Sequence, residues 1–379
     1  MNSDSDTALL KGFLSDHVSS ERVVDICIEP ETVYLEDGRD SLNLNFDFIL
    51  RNLTEEKLVI RFIKAAIYDD NGRLVTFQHL NHNGVGTPGI HTLGKFELEG
   101  TETLDIFNPF HRFSEKTPLS YLRYMFTLIN PESRKEYYYG NIMVKPKRYI
   151  QRVSLSLPIK GLITILDGHD FYSHHRRFAM SLVRKITENK FRSNFSRYAL
   201  DFTVLGSDGN TRRMDTDEYA ENYDFHFNDA RKFYTDGCEV YAPADGRVVK
   251  CVDSLDDLYD SQFDMDNAIR EDSIQEIAGN YVVIQHNEEE FSHLFHLMQD
   301  SVTVTAGDTV KKGQVIGKVG FSGAATTYSH LHYQLMNGSN FLIDEPLPCV
   351  FSDVVLIYGS QRKRFEKLAI DTGDIILSE

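Results

Sequence analysis

At 379 residues the chain is too long for one ordinary core, and it predicts two or three domains. Hydrophobic residues at 41% and charged residues at 26% are those of a globular protein and exclude wholesale disorder. A formal net charge of -17 opposes binding to phosphate backbones and to anionic membrane surfaces, so nucleic acid is not an expected partner. The four cysteines, Cys27, Cys238, Cys251 and Cys349, form no Cys-x-x-Cys pair, which excludes a zinc ribbon and a disulfide-dense scaffold. Free thiols are expected, with a Cys238–Cys251 bridge across a hairpin as the alternative.

No run approaches ~18 apolar residues, so no membrane-spanning helix is expected. The start, MNSDSDTALLKGFLSD, shows neither the basic segment nor the apolar segment of a signal peptide. Residues 1–22 read as a polar or helical lead-in. Leu42, Leu44, Phe46 and Phe48 then alternate with Asn43, Asn45 and Asp47, the period of a strand with one buried face. Further strands are predicted at Leu58–Tyr68, Thr103–Phe107, Tyr121–Leu128 and Glu136–Val144. Together they predict an antiparallel, immunoglobulin-like β-sandwich over 23–150, serving as an accessory domain. His79, His82 and His91 are assigned to a solvated Gly/Asn-rich loop.

Pro146–Pro158 reads as a connector. Residues 155–358 are again strand-rich, interrupted by a helical segment at Phe178–Lys190 and an acidic excursion at Asp253–Gln275. Residues 359–379 form a tail, with a basic run, Arg362-Lys363-Arg364, taken as a solvated face, and a strand at Asp374–Leu377. The fold class expected is therefore mainly β, in two antiparallel domains.

Nine of the fourteen histidines lie between His169 and His332. In Ser329-His330-Leu331-His332, positions i and i+2 of a strand share a face, so two imidazoles meet one pocket while Leu331 enters the core. One can hold a metal while the other moves protons.

Around this motif stand Ala242-Pro243-Ala244-Asp245-Gly246-Arg247-Val248, Gly279-Asn280-Tyr281-Val282, His293-Leu294-Phe295-His296-Leu297, and the run from Gly307-Asp308-Thr309-Val310 to Ile316-Gly317. In this order the blocks resemble the lysostaphin-like zinc metallopeptidases, bacterial cell-wall (murein) endopeptidases with a small antiparallel β core. The resemblance covers roughly residues 160–350. It implies Zn²⁺ as cofactor, His332 as one zinc ligand, and His330 and His296 as the proton-handling pair.

Tyr198-Ala199-Leu200-Asp201-Phe202 resembles the Tyr-Ala-x-Asp-Phe block of a variant branch, which makes Asp201 the aspartate ligand. Four residues earlier stands Arg197, which cannot bind zinc. The remaining ligand is expected to be His174, from the Ser173-His174 pair, with His175, His169 and His226 as alternatives.

The resemblance implies hydrolysis of peptide bonds in peptidoglycan crosslinks or stem peptides by a zinc-bound water. It also implies a location in the cell envelope or outside the cell. Two rivals remain. The Gly-rich turns also suit a lipoyl- or biotinyl-type carrier, but no lysine stands at a suitable hairpin tip. A zinc-free relative acting as scaffold or activator of other wall enzymes is the alternative that metal content decides.

Overall fold

The computed structural model describes residues 19–81, 89–213, 230–325 and 328–379. It divides into two compact units, 1–148 and 149–379.

The first unit is built mainly from antiparallel strands. A three-stranded sheet joins Val24–Glu29, Asp47–Asn52 and Thr103–Phe107, and a five-stranded sheet centres on Leu58–Tyr68 and Tyr121–Ile129. Phe46, Phe48, Tyr124 and Phe126 fill the core edge to face, with centroids 4.8 Å apart for Phe48–Tyr124 and 5.0 Å for Phe48–Phe126.

The expected single strand over 42–48 is two strands. Ser41–Leu44 and Asp47–Asn52 lie in different sheets, and the chain crosses between them at Asn45-Phe46. Asn45 and Asp47, expected on a wet face, are buried. The Asn45 amide donates to Glu36 Oε1 at 2.7 Å, which satisfies its polarity away from water. His79 occupies an exposed position on the strand Leu74–Asn81 rather than a loop, and His82 lies outside the described residues.

The second unit contains a sheet of eleven strands among the described residues. Its central path runs Gly246–Val252, Asn280–Gln285, Phe291–Leu297, Leu331–Met336, Leu200–Val204 and Gly161–Asp167, all antiparallel. Residues 359–379 extend this sheet: Ile375–Ser378 pairs with Gly161–Asp167, and Gln361–Leu368 closes one end.

The helix expected over 178–190 is shorter, Met180–Ile186. The acidic excursion folds into a helix, Met265–Arg270, whose first turn is capped by Asp264 accepting from the Asn267 amide at 2.9 Å. Phe191, Phe195, Phe295, Met336 and Phe341 form an apolar cluster under the sheet. None of the four cysteines forms a disulfide.

Candidate metal centre

Register places the chemistry. Asp201 lies directly opposite His332 on the neighbouring strand, His332 opposite Phe295, and Asp167 opposite Asp201. Cross-strand partners have Cβ atoms ~5 Å apart, so the sheet holds the carboxylate and the imidazole at bonding range before any side chain adjusts. The His332 ring lies parallel to Phe295, with centroids 5.3 Å apart and planes at 6°. That apolar backing limits its rotation.

His332 Nδ1 stands 3.1 Å from Asp201 Oδ1. His175 Nε2 and His330 Nε2 each stand 3.4 Å from the same oxygen. All four side chains are buried.

The far nitrogens of these rings fix their tautomers. His175 Nδ1 lies 3.0 Å from the Gly168 carbonyl, and His330 Nδ1 lies 2.9 Å from the Tyr328 carbonyl. A carbonyl only accepts, so each Nδ1 carries the proton and each Nε2 presents a lone pair inward. His332 donates from Nε2 to Gln334 Oε1 at 2.9 Å, and Gln334 in turn reaches the Met336 sulfur. Its Nδ1 lone pair therefore faces Asp201.

Three imidazole lone pairs and one carboxylate oxygen thus converge with no proton between them. Such an arrangement is repulsive unless a cation sits among the donors. Nitrogen and oxygen donors of this kind suit Zn²⁺. The outer hydrogen bonds are the partners that metal-binding histidines ordinarily have.

His296 approaches from the other side. Its backbone has a φ of 62°, off the strand conformation, at a register shift between Asn280 and Val282. The ring centroid lies 5.0 Å from that of His330, and Nδ1 donates to the Ser322 carbonyl at 2.9 Å. The Ser322 turn is held by the Gly279-Asn280 block: Asn280 N donates to Ser322 Oγ at 2.8 Å, and Ser322 Oγ donates to the Leu297 carbonyl at 2.7 Å. Gly279 has a φ of 63°, and a Cβ there would meet the Ser322 carbonyl at 2.4 Å. Only glycine fits at that contact.

The electrostatics follow from burial. Burial pushes His175 down to about 3 and also lowers His330. His296 falls well below the usual histidine range, by burial first and the neighbouring His330 next. Neutral imidazoles are the form that binds metals and accepts protons. Burial pushes Asp201 upward, but the surrounding rings hold it well below the usual carboxylate range.

His174 behaves differently. Its ring is bonded to Asp167, and its side chain is 60% exposed. Burial of the ring favours its neutral form, yet the Asp167 carboxylate outweighs this and raises its proton affinity. Asp167, His174, His175 and Asp201 nonetheless form one group, with donor atoms within 4.8 Å of one another. His169 packs edge-on against Tyr198 at 5.8 Å, and His226 lies outside the described residues.

Two contributors escape the sequence reading. Tyr328 donates its hydroxyl to Asp201 Oδ2 at 2.9 Å, fixing the oxygen that the rings do not face. Nothing in the local sequence period signals it. Gln334 was findable, because it stands two residues beyond His332 on the same face of the strand.

Comparison with known proteins bears on the same segment. The sequence profile of Peptidase family M23 matches residues 231–342. Peptidoglycan DD-endopeptidase ShyC of Vibrio cholerae serotype O1 is 38% identical over 74 residues, which is 19% of this chain and 16% of that protein. The chain therefore spans about a sixth of the length of the curated relative it matches.

Among solved structures, the catalytic domain of lysostaphin from Staphylococcus simulans is 21% identical and covers 30% of this chain and 76% of its own, with a TM-score of 0.20. A zinc-containing peptidase from Vibrio cholerae is 17% identical over 62% of this chain and 82% of its own, with a TM-score of 0.20. The profile match spans the strands that carry His296, His330 and His332, and the donor set fits the zinc of that family. Over residues 231–342, therefore, the chain is similar to Peptidase family M23.

Proposed function

We propose that this chain is a zinc-dependent endopeptidase that hydrolyses peptide bonds in peptidoglycan crosslinks or stem peptides, acting in the cell envelope or outside the cell. The observation that carries the reading is the convergence of unprotonated donors on Asp201 Oδ1, with every outer nitrogen already donated to an acceptor. No helix among the described residues is long and apolar enough to cross a membrane.

The metal ligands in this reading are His175, Asp201 and His332. His174, the expected third ligand, gives way to His175 for a geometric reason. His175 Nε2 faces the shared oxygen from a buried ring locked by Gly168, whereas the His174 ring is spent on Asp167 and open to solvent. A zinc ion so held supplies Lewis acidity to the scissile carbonyl and to the attacking water.

The chain's own residues do the rest. His330 takes the proton from that water at Nε2, since its Nδ1 proton is tied to Tyr328. His296, with Nε2 free to face the site, orients the carbonyl or returns a proton to the leaving amine. Tyr328 keeps Asp201 from swinging away. The Phe295 and Phe195 rings exclude water from beneath.

The scaffold alternative predicts no turnover and no need for this donor set. Purified sacculi incubated with the protein should release peptide fragments with new amino termini, detected by mass analysis, and about one zinc per chain should be bound. His330→Ala should retain zinc while losing about 10²–10⁴-fold in rate, the ordinary contribution of a general base. Zinc-loaded protein that leaves sacculi intact would transfer the case to the scaffold reading.

A further inference from the structure

The acidic segment that begins at Asp253 supplies no donor to the metal centre, yet its bonds converge on the surroundings of His296. Its first residues are pinned in place. Asp253 Oδ1 accepts from the Ser301 and Val302 amides at 3.1 and 3.0 Å. The buried Asn280 side chain clasps Leu255, accepting from its amide at 2.9 Å and donating to its carbonyl at 2.7 Å. The same Asn280 amide donates to the Leu297 carbonyl at 3.2 Å, which ties the segment to the residue after His296.

Asp257 then reaches two chain segments at once. Its Oδ1 accepts from the Phe321 amide at 2.7 Å, and its Oδ2 from the Gln299 amide at 3.1 Å. Phe321 immediately precedes Ser322, whose carbonyl accepts from His296 Nδ1, and Gln299 stands three residues after His296. One carboxylate thus spans the segment that carries His296 and the segment that carries its acceptor. The Phe321 carbonyl is held from the same side by the Leu258 amide at 2.9 Å, and Asp257 pairs with Ser322 across a single antiparallel bridge. The approach is close. A Cβ at Gly320 would meet Asp257 Oδ1 at 2.4 Å and Met298 Cα at 2.3 Å, so a side chain there would push the carboxylate off the turn.

This span matters because His296 is held in an uncommon conformation. Its φ of 62° persists only where the surroundings over-determine it. Hydrogen bonds accepted by a carboxylate are roughly twice as strong as neutral ones, so Asp257 is a firm part of those surroundings. The Ser322 carbonyl fixes which nitrogen of His296 carries the proton. A turn that drifts would release both the orientation of the ring and its tautomer.

We propose that Asp257 is a positioning residue for His296. By holding the Phe321 and Gln299 amides on one carboxylate, it keeps the Ser322 carbonyl on Nδ1 and Nε2 aimed at the site. Its effect on turnover rests on the reading of the chain as a zinc peptidase; its effect on the ring rests on geometry alone.

The test uses the zinc-loaded full chain as wild type, Asp257→Ala and Asp257→Asn, each also in a His296→Gln background. Alanine leaves both amides without an acceptor, whereas asparagine retains one acceptor oxygen. On soluble crosslinked peptides from digested sacculi, Asp257→Ala should lower kcat about ten- to hundredfold with KM within about twofold, as for a displaced reacting group. Asp257→Asn should fall between it and wild type. In the His296→Gln background both substitutions should change kcat by less than about twofold, because a residue acting through His296 has nothing left to position. Nitrogen NMR of histidine-labelled protein, with His296 assigned by its loss in His296→Gln, should show the Nδ1-protonated tautomer in wild type and averaged ring nitrogens in Asp257→Ala. Melting temperature and zinc content report folding, and Asp257→Asn carries both measurements if the alanine variant does not fold.

An unchanged kcat in folded variants, an equal loss in the His296→Gln background, or unmoved ring signals would each overturn the assignment. A wild-type protein that releases no fragments, while its ring signals respond to Asp257, would keep the positioning role and remove the peptidase reading instead.

Discussion

Replacing His175 by alanine separates two adjacent histidines, of which the sequence reading favours His174. The substitution removes the Nε2 donor that faces Asp201 Oδ1 from 3.4 Å, leaving Asp201 and His332 as the protein donors. Four-donor structural zinc sites bind with about 10–16 kcal/mol. Each donor therefore accounts for on the order of 3 kcal/mol, about two orders of magnitude in affinity.

Zinc affinity measured by competition with a chromophoric chelator should thus fall about 100-fold or more in His175→Ala. His174→Ala, which trims a side chain 60% exposed, should stay within a few-fold of wild type. Circular dichroism checks that the buried substitution has not unfolded the protein. The reverse pattern, with zinc lost at 174 and kept at 175, would refute the geometric argument and return the role to the Ser173-His174 pair.

Tyr328→Phe removes the donor to Asp201 Oδ2 and nothing else polar, so zinc affinity should weaken about 10–100-fold with the melting temperature of the metal-free protein unchanged. An unaltered affinity would show that the strand alone holds the carboxylate. The pH dependence of stability should carry the mark of His293, which burial pushes down to about 4 and whose Nε2 donates to the Gly338 carbonyl. A histidine in the unfolded chain titrates near 6.5, so between roughly 6.5 and 4 the unfolded state binds more protons than the folded one. Stability is then full above that window and falls as pH drops through it. Denaturant titrations of His293→Gln should show a flatter slope there than wild type, and identical slopes would refute the assignment.

The sequence made parts of this site legible for a definite reason. The His330-Leu331-His332 spacing and the block order around it are local patterns, and for His332, on the strand Leu331–Met336, the antiparallel register turns them directly into geometry. Asp201 was accessible through the resemblance of Tyr198–Phe202 to the Tyr-Ala-x-Asp-Phe block, and the register then sets it opposite His332.

The choice between His174 and His175 for the proposed third ligand was not. His174 and His175 sit in a turn outside any strand, so period 2 says nothing about which ring turns inward. The answer depends on a carbonyl seven residues back, at Gly168, and on Asp167 capturing the other ring. Tyr328 escaped because a tyrosine in a loop carries no period, and its target lies 127 positions away. In the first unit, the alternation over 42–48 was real, but two of its three polar residues, Asn45 and Asp47, turned out to be buried. At the sheet change Asn45-Phe46 the buried Asn45 amide is satisfied by Glu36, which no local pattern connects to it.

Three of the four rings at the centre, His175, His296 and His330, are oriented by main-chain oxygens at Gly168, Ser322 and Tyr328. A main-chain acceptor survives every substitution at its own position that preserves the backbone path. The proton placement of these rings is thereby insulated from point mutation, and drift at positions 168, 322 and 328 can reach it only by bending the chain. His332 alone depends on a replaceable side chain, Gln334. Tuning of ligand basicity through side-chain hydrogen-bond partners is thus concentrated at two side chains, the Gln334 amide and the Tyr328 hydroxyl.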